Sequence, residues 1–274
     1  MPELITSAAN PLIKRVRQLG DRRHRRSERA FVVRGIQPVW QAVEAGADIE
    51  VLIVAPDLLR EPAAGMVAAQ EARGTKVARL SAELFGRVGE RDGPAGLAAI
   101  VRQPSLSLAG LRVGPDSVFV ALHEIANPGN LGTIIRTADA AGAAGVILVG
   151  ACTDPFDPAA VKASMGALFS VPVAAAAGPA EFLGWRAEHG IAVAVTSGQP
   201  GGPHDPATYW DAELPRPLAF LLGSEGTGLP DGLLAAGDVR LRIPMTGTAE
   251  SLNLAVAAGL VLYEAWRQSR SERS

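Results

Sequence analysis

The sequence predicts an α/β protein in two parts, a smaller N-terminal α/β domain and a larger C-terminal domain built on a mostly parallel sheet. Three observations predict it. Short apolar runs alternate with helical segments along the chain, the pattern of βαβ units. A stretch rich in turn formers, "RQPSLSLAGLRVGPDS", interrupts that alternation before the midpoint. The 274 residues, 48% of them hydrophobic, suffice for one large domain or two smaller ones.

Taken in order, a helix-like stretch from Asn10 to Leu19 opens the chain. "AFVVRG" reads as a strand, "IQPVWQAVEAG" as a helix closed by Gly46, and "EVLIVA" as a second strand. "PAAGMVAAQEARG" is a helix ending at Gly74, and "KVARL", "SAELFGRVG" and "AGLAAIV" complete the first set. The boundary falls in the turn-rich stretch, giving a domain over residues 1–104, a linker over 105–116 and a second domain over 117–274. In the second set "SVFVAL", "GVILVG", "FSVPVAA", "IAVAVTSG", "PLAFLLG" and "VRLRIP" read as strands. Between them "NPGNLGTIIRTADAAGA", "DPAAVKASMGA", "AEFLGWRAEHG" and the short "PDGLLAAG" read as helices, and a last helix runs from Leu252.

Composition narrows the function classes. No run of eighteen apolar residues appears and the N-terminus lacks an apolar signal core, so a cytoplasmic location is expected. Cys152 is the only cysteine, which excludes a disulfide framework or a cysteine-based zinc site within one chain; it reads as a small core residue. His24, His123, His189 and His204 are scattered, without the helix-spaced pairing of a hydrolytic metal site, so no metal is expected. The net charge of −2 hides an asymmetry. Residues 1–34 hold nine Lys/Arg against three Asp/Glu, and the remainder seventeen against twenty-five. A charge run is usually a solvated face, but Arg22, Arg23, Arg25 and Arg26 on an otherwise acidic chain are the footprint of a phosphate-rich partner.

In open α/β sheets ligands bind beyond the carboxyl ends of the strands, so three strand-end loops are where chemistry is sought. In the first, Asn130 is placed to cap the following helix. Arg136 on that helix either pairs with Asp139 or aims its fork at a phosphate or ribose oxygen; the residues alone leave these open. The second, "LLGSEGTGLP", fits neither the dinucleotide fingerprint nor a phosphate P-loop. It is a glycine-rich turn where backbone approaches a flat ligand, with Glu225 as helix-start carboxylate or polar anchor. In the third, "TGTAESLN" carries Ser251 and Asn253 at a helix start where one cap would suffice, which points to a polar pocket suited to an adenosine-type ligand.

The stretches "NPGNLGTIIRTADAAGA", "LLGSEGTGLP" and "IPMTGTAESLNLAVAAG" resemble, in order and spacing, the three motifs of the SpoU (TrmH-type) family of RNA 2′-O-ribose methyltransferases. The resemblance covers roughly residues 117–268, and "DPFDPAAVKASMGALFSVPV" is similar to the intervening segment of members acting on ribosomal RNA. "SAANPLIKRVRQL" and "RSERAFVVRG" resemble, less specifically, the ribosomal-protein-like domain that many members use to grip RNA; Arg34 stands where the family often has an acidic residue. The resemblance implies a sheet with helices on both faces, a deep C-terminal trefoil knot, a homodimer, and S-adenosylmethionine as cofactor. It puts cofactor contacts at Thr196, Leu222, Gly223, Ile243, Met245 and Leu252. It makes Asn130, Arg136, Glu225, Ser251 and Asn253 the catalytic set, and gives the N-terminal arginines RNA phosphates to bind. Ribosomal RNA is the expected substrate, with transfer RNA, or a catalytically silent RNA-binding protein of the same fold, as alternatives. A nucleotide-dependent oxidoreductase is disfavoured by the missing glycine fingerprint.

Overall fold

The computed structural model describes residues 4–88, 96–196 and 206–271. The chain divides into two compact units, Met1–Pro104 with Asp154–Ser170, and Ser105–Thr153 with Val171–Ser274.

In the first unit the elements follow one another as β1 (Leu4–Ile5), α1 (Pro11–Gln18), α2 (Arg22–Glu28), β2 (Ala30–Arg34), α3 (Ile36–Glu44), β3 (Ile49–Val54), α4 (Ala63–Ala72), β4 (Val77–Leu80), α5 (Ala82–Val88) and β5 (Leu97–Arg102). The α1 helix starts where Asn10 accepts from the Leu12 N–H at 2.9 Å and Pro11 fills the first turn; Ile13 and Val16 are its buried face. The five strands lie in the order β1-β4-β3-β5-β2. This sheet is mixed, because β5 runs antiparallel to both β3 and β2. Its core holds Val32, Ile53, Leu80 and Ile100.

The second unit contains β6 (Val118–His123), α6 (Pro128–Ala140) and β7 (Gly145–Val149); the chain then enters the first unit as α7 (Pro158–Ser164). It resumes with β8 (Val173–Ala176), α8 (Pro179–Glu188), β9 (Ala192–Thr196), β10 (Ala207–Thr208), β11 (Leu218–Leu222), α9 (Asp231–Ala235), β12 (Val239–Arg242) and α10 (Leu254–Ser271). All seven strands, ordered β10-β12-β9-β11-β6-β7-β8, pair in parallel. Every carboxyl end therefore meets one edge of the sheet, and the three suspected loops leave from β6, β11 and β12 at that edge.

Two expectations are corrected. Residues 105–116 are not a spacer: Leu108 and Leu111 are buried in the core with Phe119 and Ile147, and the Leu106 carbonyl accepts from the Ala175 N–H at 3.1 Å. Asp154–Ser170 belongs to the first unit and not the second, because Phe156 packs on Phe31 of β2 at 4.8 Å between ring centroids, with Phe169 at 6.2 Å. Cys152 is buried, its thiol donating to the Leu122 carbonyl at 3.3 Å, and burial pushes its pKa up.

The last helix is fixed at its far end. The Gln268 amide donates to the Ala212 carbonyl at 2.9 Å and accepts from the Leu214 N–H at 3.2 Å. Next to it Arg267 and Gln268 donate to Glu264, holding that carboxyl below the usual range. Among the described residues no helix is long and apolar enough to cross a membrane.

Candidate active site

The turn after β11 doubles back on itself. Gly228 N–H donates to the Ser224 carbonyl at 2.9 Å, and the Ser224 and Thr227 hydroxyls share a hydrogen bond of 2.8 Å. A Cβ at Gly223 would overlap the Gly228 carbonyl group and the Leu229 nitrogen, so only glycine fits. Gly223→Ala must displace backbone and not merely a side chain. We expect this variant to lose uptake of any ligand held by the turn, measured by calorimetry, while binding RNA as the parent does.

After β12 the chain runs through Ile243–Leu252 to Asn253, whose Oδ1 accepts from the Ala255 N–H at 2.9 Å and caps α10. Its Nδ2 donates to Asn130 Oδ1 at 3.1 Å, and Asn130 Nδ2 donates to a Glu225 carboxylate oxygen. The polarity of this relay follows from its ends. A carboxylate only accepts, so Asn130 must turn its amide nitrogen to Glu225 and its oxygen to Asn253. Asn253 then has its own oxygen left for the backbone N–H groups of α10. One residue from each loop is thus locked into a single chain of hydrogen bonds.

Asn130 does not cap α6, as its sequence position suggested. Asn127 does, accepting from the Asn130 N–H at 3.1 Å, with Pro128 in the first turn. The Asn-Pro pair before an apolar helix is a cap signature that locates Asn127 from sequence. With the cap supplied by Asn127, the Asn130 side chain is released for the relay.

Beside the relay lies a cavity of about 230 Å³. Thr196, Leu222, Gly223, Ile243, Met245 and Leu252, all six suspected cofactor contacts, line it, together with Glu225 and Ser251. Glu250, Leu254 and Ala257 also line it, although no motif in the sequence marks them individually. Its walls are largely aliphatic, with carboxylates from Glu225 and Glu250, and at Gly223 bare backbone faces in.

Arg136 is not drawn into the relay and does not line the cavity. It is exposed on α6, and among the described residues no ion pair joins it to Asp139. Its fork is available to a ligand. Arg22, Arg23 and Arg26 are exposed on α2, whereas Arg25 is 1% exposed and presents no charge to a partner, which corrects its place among the RNA contacts. Among the described residues no group of three or more His, Cys, Asp or Glu side chains is placed to hold a metal ion; His204 lies outside them.

The profile of the SpoU rRNA Methylase family matches residues 117–263, and that of the MRM3-like substrate binding domain matches residues 10–99. The chain is 34% identical to a 23S rRNA (uridine(2479)-2′-O)-methyltransferase of Streptomyces viridochromogenes, over 93% of this chain and 89% of that one. It is 31% identical to the 23S rRNA (guanosine(2553)-2′-O)-methyltransferase RlmP of Bacillus subtilis (strain 168), over 94% and 97%. Among solved structures, an AdoMet-bound rRNA methyltransferase from Sinorhizobium meliloti superposes with a TM-score of 0.86 at 36% identity, covering 97% of this chain and 98% of that one. A family profile spanning over half the chain, and relatives of this identity along nearly all of it, establish that the chain belongs to the SpoU rRNA methylase family.

Proposed function

We propose that this protein transfers the methyl group of S-adenosylmethionine to a ribose 2′-hydroxyl of 23S ribosomal RNA. The observation that carries the proposal is the joining of three strand-end loops, through Asn130, Glu225 and Asn253, beside an apolar cavity. The relatives act on different nucleosides, a uridine and a guanosine, and their names share the 2′-oxygen as target. A site that reads sugar and phosphate suits both.

The cavity residues fit the cofactor. Leu222, Ile243, Met245 and Leu252 offer apolar walls for an adenine ring, Gly223 lets backbone approach it, and Glu225 and Glu250 suit a cationic ligand. When bound, S-adenosylmethionine supplies a methyl group already activated by positive sulfur, so the protein's work is to position and activate the hydroxyl. Arg136 grips the phosphate next to the target ribose and donates to the 2′-oxygen as negative charge develops there. A guanidinium donates and does not accept, so the hydroxyl proton passes to the phosphate or a water. Ser251 orients the ribose, and the relay holds the three loops in register. Calorimetry tests the assignment: one equivalent of S-adenosylmethionine should be taken up by the parent and none by Gly223→Ala. Equal uptake by both would remove the cavity from the mechanism.

The finer architecture is part of the same proposal. Membership of the SpoU rRNA Methylase family supports a C-terminal segment threaded as a trefoil knot in a sheet covered by helices on both faces. Val256, Tyr263 and Trp266 lie 52%, 48% and 42% exposed on α10, an apolar stripe that supports a homodimer through that helix. Tyr263→Glu is expected to give a monomer in analytical ultracentrifugation where the parent sediments as a dimer. The first unit, with Arg22, Arg23 and Arg26, grips RNA, and the second performs the chemistry. A cytoplasmic location accompanies this substrate.

A further inference from the structure

We infer that Arg25 is a positioning residue for RNA recognition: its buried guanidinium, clamped by Asp154 and Asp157, sets the orientation of the basic helix α2. The inference rests on the RNA-gripping role proposed for the first unit.

Four of the exposed cationic side chains near the N-terminus, Lys14, Arg17, Arg23 and Arg26, stand on α1 and α2. In α1 the buried Ile13 and Val16 hold the helix against the core. The α2 helix has no such stripe. Its sequence is RRHRRSE, and its only buried side chain is Arg25. What an apolar face does elsewhere, a guanidinium must do here.

Its bonding is suited to that task. Nη1 donates to the carbonyls of Leu19 at 3.2 Å and Gly20 at 2.8 Å, which form the turn between α1 and α2. Nε donates to Asp154 Oδ2 at 2.9 Å, and Nη2 approaches the same oxygen at 2.8 Å and Asp157 Oδ2 at 3.2 Å. The carboxylates are themselves fixed. Asp154 Oδ1 accepts from the Phe156 N–H and Asp157 Oδ1 from the Ala159 N–H, each at 2.9 Å. Phe156 in turn packs on Phe31 of β2, the strand that α2 leads into. A buried cation is costly unless fully paired. Only a planar fork reaches carbonyls on one side and carboxylates on the other, so lysine cannot replace it.

The test is the binding of an unmodified 23S ribosomal RNA transcript across a salt series, with S-adenosylmethionine uptake and thermal unfolding as checks on folding. Arg23→Ala removes a phosphate contact and should flatten the slope of log affinity against log salt by roughly 0.7 to 0.9. Arg25→Lys keeps the charge but loses the fork, and should weaken RNA binding roughly tenfold, the worth of about one charged hydrogen bond. The Michaelis constant for RNA should rise while that for S-adenosylmethionine and the turnover number at saturating RNA stay unchanged.

Asp157→Asn is the decisive arm, because it retains the α7 cap and removes a negative charge. If charge alone mattered it would tighten RNA binding; the clamp requires that it weaken it. If Arg25→Lys unfolds the first unit, Asp157→Asn alone decides. Parent-like or tighter RNA binding by Asp157→Asn overturns the clamp. If instead Arg23→Ala and Arg26→Ala bind RNA with the parent's affinity and salt slope, the RNA-gripping role of this face fails, and the clamp with it.

Discussion

Replacing Arg136 with alanine is expected to slow methyl transfer roughly hundred- to thousandfold, while uptake of S-adenosylmethionine stays at the parent level. The two readouts separate because Arg136 stands exposed on α6, outside the residues that line the cavity. An alkoxide developing on the ribose needs charge-assisted donors in place before the reaction, and a guanidinium can serve the 2′-oxygen and the neighbouring phosphate with separate N–H groups. Arg136→Lys keeps the charge and loses the fork, so it should recover only a small part of the rate. Parent-like activity in the lysine variant would reduce the role to bulk electrostatics. Parent-like activity in the alanine variant would remove Arg136 from the chemistry.

Asn130→Asp is expected to be nearly as damaging, roughly hundredfold in rate, or about 2.7 kcal/mol. It sets a second carboxylate against Glu225 where an amide now donates. Like charges at this distance raise the pKa of one partner. Once protonated, the introduced carboxyl would donate as the native amide does, so the activity of this variant should recover as pH falls. Adding Glu225→Gln should restore most of the rate at neutral pH. The new glutamine would donate to the introduced carboxylate, and Asn253 would keep its present donation at 3.1 Å to the side chain at this position. A double variant no better than Asn130→Asp would show that Glu225 acts by its charge and not by holding the loops together.

Most strands were legible because a buried parallel strand is a continuous apolar run, as in "GVILVG" and "PLAFLLG". Their direction was not always legible. The β5 strand reads like its neighbours, yet runs antiparallel, because orientation depends on which strand it meets and not on its own residues. The α2 helix escaped notice since it carries no apolar periodicity and its single buried contact is an arginine. For the same reason Arg25 looked like one more phosphate ligand. The docking of Asp154–Ser170 was equally hidden, because Phe156 and Phe169 reveal a partner only when Phe31 is seen beside them.

The site was more legible than the domain boundaries. Glu225, Ser251 and Asn253 stood out in the strand-end loops, the six cavity residues followed only from the family resemblance, and in the fold these positions lie around one cavity and its hydrogen-bonded relay. The relay itself could not be read. The Asn-Pro signature marks Asn127 as the α6 cap, but that Asn130 then bridges loops distant in sequence is settled by three-dimensional closure.

One measurement bears most directly on the whole account. The purified protein is incubated with methyl-labelled S-adenosylmethionine and unmodified 23S ribosomal RNA, and the RNA is then hydrolysed in alkali. A methylated 2′-oxygen cannot attack its neighbouring phosphate, so the label should emerge in a single alkali-resistant dinucleotide. Label released as a free mononucleotide would mean that a base had been methylated. No label in the RNA, from protein that binds both partners, would mean that the fold is retained without its reaction.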